Sequence, residues 1–136
     1  MQWIIFIGDE GLTLNRIKAI EHYDSIGSHD VNEERYCVDF GPADHIFYDV
    51  VPDLRKDYGH DELAKIPIFN PNFIMMVYRS ENRMRAVLKQ ENFVKGIGNV
   101  YVDNDYGLIV PIKEYIELGM PAETKYFQEK AKHNKA

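Results

Sequence analysis

The chain has 136 residues, 45% of them hydrophobic, with nine Tyr, seven Phe and one Trp. That length favours a single domain that can bury a core without disulfides or metals, and the apolar content excludes a disordered chain. The net charge is −6, and the single cysteine, Cys37, excludes an internal disulfide framework and agrees with a reducing compartment.

The opening, MQWIIFIGDEG, carries an apolar run too short to span a membrane and no basic stretch before it. It reads as the start of a cytoplasmic protein with no signal peptide and no membrane partner. Within it, residues 3–7 form a short apolar run before Gly8, the pattern of a buried strand. Leu14, Ile17 and Ile20 then recur at three-residue spacing, which predicts a helix with Thr13 as its N-cap and an end near Tyr23.

Two apolar-rich runs flank Gly41-Pro42-Ala43 and predict a hairpin over residues 35–50. With a three-residue loop, Phe40 stands opposite Asp44. Val38 then meets Ile46, and Tyr36 meets Tyr48. On the other face Arg35 meets Asp49, Cys37 meets Phe47, and Asp39 meets His45. Apolar partners coincide on one face and opposite charges on the other, which supports this register.

Residues 51–72 are punctuated by Pro52, Gly59, Pro67 and Pro71, with short helical turns expected at 53–57 and 61–65. Residues 73–78 form the most apolar strand candidate, expected to be central with Met75 and Val77 buried. A helix follows through residue 92. Ser80 caps it, Met84, Val87 and Leu88 make its apolar face, and Glu81 pairs with Arg85. A second hairpin over residues 99–110 turns at Asp-Asn-Asp-Tyr-Gly. The next helix has Pro111 at N1 and Gly119 at C′. A last helix is expected from residue 121, frayed from about residue 128. The order is β-α-β-β, then β-α-β-β-α-α. It predicts one α+β domain over residues 1–136, a mainly antiparallel sheet with helices on one face.

Charge is unevenly distributed. Residues 21–62 hold twelve Asp/Glu against Arg35, Arg55 and Lys56, a balance of −9, while the other residues hold ten acids and thirteen bases, a balance of +3. An acidic zone of this strength repels nucleic acid and attracts basic proteins or cations. A solvated, solubilising face accounts for the same composition. Arg79, Arg83, Arg85, Lys89 and Lys95 make a modest basic stretch. With the global charge against nucleic-acid binding, pairing with the acidic zone inside the fold is its expected role.

No stretch carries a specific catalytic or metal-binding pattern. Cys37 falls in mid-strand, without the helix N-terminus or turn that activates a thiol; His45 is the nearest candidate base. His22, Asp24, His29, Asp30, His45, His60 and Asp61 offer nitrogen and oxygen ligands, but in no H-E-x-x-H arrangement, so neither metal nor cofactor is expected. Asp103, Asp105 and Glu114 match calcium-loop positions one, three and twelve. Leu108 then stands where that loop needs glycine, and a hairpin turn explains the stretch better. Gly8-Asp9-Glu10-Gly11 joins a strand to a helix, but its two carboxylates would repel a phosphate.

Tyr23, Tyr36, Tyr48 and Tyr58 are interleaved with the acidic residues. Carboxylates steer an encounter and aromatic side chains anchor it, which suits a non-enzymatic module binding a basic protein. The residues expected to contact such a partner are Tyr23, Asp24, Asp30, Glu33, Glu34, Asp44, Tyr58 and Asp61. In size, acidity, cytosolic character and lack of a catalytic motif the chain resembles small bacterial immunity proteins. That resemblance implies neutralisation of a cognate toxin, often a basic nuclease, and it assigns no residues. The alternative is a small cytosolic hydrolase with a site assembled from scattered Asp, Glu, His and Tyr. A third reading, oligomerisation through residues 72–76, conflicts with the core character of that run.

Overall fold

The computed structural model of the chain describes residues 1–121. Most of the helix expected from residue 121 onward lies outside the described residues. The rest is an α+β fold built on one seven-stranded, wholly antiparallel sheet. Its strands are β1 (Gln2–Gly8), β2 (Gly27–Asn32), β3 (Arg35–Gly41), β4 (Asp44–Val50), β5 (Asn72–Tyr78), β6 (Tyr101–Asp103) and β7 (Ile109–Pro111), in the order β2-β3-β4-β5-β1-β6-β7. The helices are α1 (Leu14–Lys18), α2 (His60–Ala64), α3 (Glu81–Leu88), α4 (Glu91–Ile97) and α5 (Ile112–Glu117), with a 3-10 turn at Leu54–Asp57.

The two most apolar strands, β1 and β5, pair at the middle of the sheet, where both faces are covered. One face presents Ile4, Phe6, Ile46, Tyr48, Ile74 and Met76 to Ile17, Met84, Val87, Phe93 and Tyr115 from the helices. The opposite face is not bare. Ile5, Ile7 and Phe73 pack there against Leu54 and Ile66 from the segment between β4 and β5. That segment supplies the 3-10 turn and α2, the two short turns expected from the sequence.

The β3–β4 register is the expected one from Arg35↔Asp49 through Asp39↔His45. The loop differs by one residue. Gly41, at φ +135°, takes the place opposite Asp44, so Phe40 becomes a bulge and Pro42 and Ala43 make the turn. Thr13 and Ser80 cap their helices, accepting hydrogen bonds from the Arg16 and Arg83 amides. Gly119, at φ +87°, is the C′ residue of a Schellman motif. Its N–H donates to Ile116 and that of Met120 to Tyr115.

Several expectations are corrected. Helix α1 ends at Lys18, with Ala19 as its C-cap, rather than near Tyr23: the Ile20 amide donates to the Ile17 carbonyl in a tighter i→i−3 turn, and the Ile20 carbonyl accepts from the His22 ring at 3.0 Å. The helix from Ser80 breaks at Gln90, which is extended (ψ 122°) and begins α4. Gln90 is buried there, its side chain accepting from the Tyr23 amide and donating to the Glu21 carbonyl. Pro111 is the N-cap of α5 rather than N1. Val77 is buried but Met75 only half-buried, since the crossing segment covers β5 incompletely on that face. Residues 27–32, for which the sequence predicts no strand or helix, form β2.

Candidate protein-binding surface

The β2–β3 hairpin forms the open end of the sheet. Asn32 turns it, its side-chain oxygen accepting from the Glu34 amide at 2.8 Å. The Val50 amide donates to the Glu34 carbonyl at 2.9 Å, which fixes the turn against β4. Glu33 and Glu34 therefore project from a braced turn. Both are exposed, and neither forms a salt bridge among the described residues.

Several other members of the acidic zone are paired within the fold, whereas Glu21, Asp57, Asp61 and Glu62, like Glu33 and Glu34, form no salt bridge among the described residues. Asp30 pairs with Lys18 at 2.6 Å, whose ammonium also lies over the Tyr36 ring. Arg35 holds Asp49 with two bonds, at 2.6 and 3.0 Å, while lying over Phe47. Arg83 bonds Asp44 at 3.1 Å and reaches Asp24 at 3.9 Å. Of the expected basic stretch only Arg83 pairs with the acidic zone among the described residues, while Lys95 pairs with Glu91 on its own helix. Glu81 and Arg85 form their expected i,i+4 pair at 3.0 Å.

The eight residues expected at a binding surface fall in three places. Tyr23, Asp24 and Asp44 gather near Gln90 and Arg83, at the ends of α3. Asp30, Glu33 and Glu34 lie along β2 and its turn. Tyr58 and Asp61 belong to the crossing segment, where Tyr58 donates to Asp103 on β6 at 2.6 Å. Sequence reasoning missed β2 itself, with the exposed apolar residues Ile26 and Val31 near its two ends. The signal available was the Asn-Glu-Glu sequence just before the patterned strand that begins at Arg35.

The candidate catalytic groups make contacts within the fold. His22 is buried between sheet and helices. The Ile20 carbonyl can only accept, so Nδ1 carries the proton and Nε2 accepts from the Tyr48 hydroxyl at 2.6 Å. Burial lowers the His22 pKa against the opposing pull of that carbonyl, and burial raises that of Tyr48 far above its ordinary value. Cys37 is buried opposite Phe47; burial and the nearby Asp39 push its thiol up, the opposite of activation. His45 lies 3.3 Å from Asp39, its cross-strand neighbour. Burial raises the Asp103 carboxyl, opposed by the Tyr58 hydroxyl and the Asp105 amide that donate to it. The same burial and the hydrogen bond to Asp103 raise the Tyr58 hydroxyl.

Among the described residues, no three His, Cys, Asp or Glu side chains stand close enough to hold a metal ion. Asp103–Gly107 forms the expected hairpin turn, Asn104 accepting from the Tyr106 and Leu108 amides. Among the described residues no helix is long and apolar enough to cross a membrane. No family model, no curated protein and no solved structure matches this chain.

Proposed function

We propose that the chain is a non-enzymatic, acidic protein-binding module that neutralises a basic partner, most simply a cytoplasmic immunity protein acting on a basic, nuclease-type toxin. The observation that carries this reading is the β2–β3 turn, where Glu33 and Glu34 stand exposed and, among the described residues, without a salt bridge, while neighbouring Asp30 and Asp49 are paired. Charges left free on a braced turn act outward, steering a cationic surface and anchoring it there. Blocking a nuclease needs no chemistry, only occupation of the cationic surface that would otherwise hold phosphates.

The test is affinity capture from the native host at low and high salt, comparing the native chain with Glu33→Lys/Glu34→Lys. The captured protein is identified, purified and returned to the native chain. A basic partner that binds stoichiometrically, inhibits on binding and is lost on charge reversal supports the reading. Binding indifferent to charge reversal overturns it. The hydrolase reading keeps one observation, the raised carboxyl of Asp103 beside Asp105 and Glu62. Turnover of any substrate that disappears in Asp103→Asn, with the fold retained, would revive it.

A further inference from the structure

The two edges of the sheet are built differently. β7 has three residues, ends in Pro111 and runs directly into α5, so it offers little for another strand to pair with. β2 has six residues, every one exposed. It pairs with β3 on one side, and among the described residues no strand pairs with its other side. In such an edge strand alternate residues turn their N–H and C=O groups outward.

The usual guards of an edge are weak here. β2 contains no proline and no lysine. Its single carboxylate, Asp30, is drawn to Lys18. Its register shift lies between Asp30 and Asn32, at the turn, leaving Gly27 to Asp30 in regular pairing with β3. Ile26 is 72% exposed and Val31 47% exposed, an apolar contact near each end of the strand. Beyond them stand Glu33 and Glu34, uncompensated among the described residues.

We propose that β2 receives an extended, basic segment of a partner protein as an eighth strand of the sheet. The proposal rests on the acidic protein-binding reading above and names how that binding is made. Backbone hydrogen bonds along β2 supply register, Ile26 and Val31 supply apolar contact, and the two glutamates select cationic side chains. A second copy of the chain is the poorer occupant, because antiparallel self-pairing of β2 brings two net-negative hairpins together.

The test uses the full chain and a capped hexapeptide of alternating Lys and Val, followed by backbone NMR and amide exchange. The expected result is saturable binding with shifts and slowed exchange confined to Gly27–Asn32 and the adjoining turn. A peptide N-methylated on alternate amides should bind about tenfold more weakly or worse on the methylated edge. Ile26→Ser/Val31→Ser changes only exposed side chains and should weaken binding several-fold without altering the melt. Binding that is lost in Glu33→Lys/Glu34→Lys but ignores N-methylation overturns strand addition and leaves the acidic reading standing. Binding that ignores both overturns the two together. Absence of saturable binding overturns strand addition, the capture experiment then deciding the acidic reading alone. Concentration-dependent protection of β2 without peptide, with a dimer in sedimentation, assigns the edge to a second copy and overturns the proposal.

Discussion

β1 and β5, at the middle of the sheet, are apolar on both faces because helices cover one and the crossing segment covers the other. β2, at the end of the sheet, has a single apolar residue in six and is exposed along its whole length. The first pair is held by what it buries. β2 is held by one neighbour's edge and by the turn that joins them, so its composition is free to serve an outside surface. The contrast separates residues that make the fold from residues that the fold displays.

The largest expected effect lies at the centre. Met76→Ala removes a fully buried side chain and should cost about 2–5 kcal/mol in urea melts, whereas Val31→Ala should stay within about 0.5 kcal/mol. Equal costs would break the comparison. Next is Tyr48→Phe, which leaves the buried Nε2 of His22 without its donor. A loss of about 1–3 kcal/mol is expected by the same melts.

Tyr58→Phe should act more locally. It removes the hydroxyl that ties the crossing segment to Asp103, so amide exchange should quicken in residues 54–66 before it changes in β3. Uniform quickening would show that the segment is not a separate cover.

The smallest effect is a pH slope. Because the folded-state pKa of His22 is lowered from 6.5, the unfolded chain takes up that proton more readily. Stability from this group is therefore present above the unfolded value and lost as pH falls toward the folded value. Chemical melts from about pH 7 to about pH 5 should show this decline, and His22→Gln should flatten it. An unchanged slope in the variant would place the acid sensitivity elsewhere.

Legibility in the sequence followed the same division. The β3–β4 register was readable because apolar pairs and opposite charges align only once, while the bulge at Phe40 depends on the conformation of Gly41. Ser80 and Thr13 announced their helices by local chemistry. The break at Gln90 was hidden because it answers to Glu21 and Tyr23, far away in the chain. β2 gave no period-two signal, since Gly-Ser-His-Asp-Val-Asn has no buried face to write one. For the candidate surface, composition identified Glu33 and Glu34 among the acidic residues but did not separate them from Asp24, Asp30 and Asp44, whose counter-charges come from Arg83 and Lys18.

The role proposed for the exposed Glu33 and Glu34 of the β2–β3 turn is to direct association with a basic partner. It is tested most directly by stopped-flow association of the purified partner with the native chain and with Glu33→Lys/Glu34→Lys across a salt series. The account predicts a native association rate that falls steeply as salt shortens the screening length to about 10 Å at 0.1 M, and a variant rate that is slower and nearly flat. Superimposable rates for the two proteins at every salt concentration would contradict it.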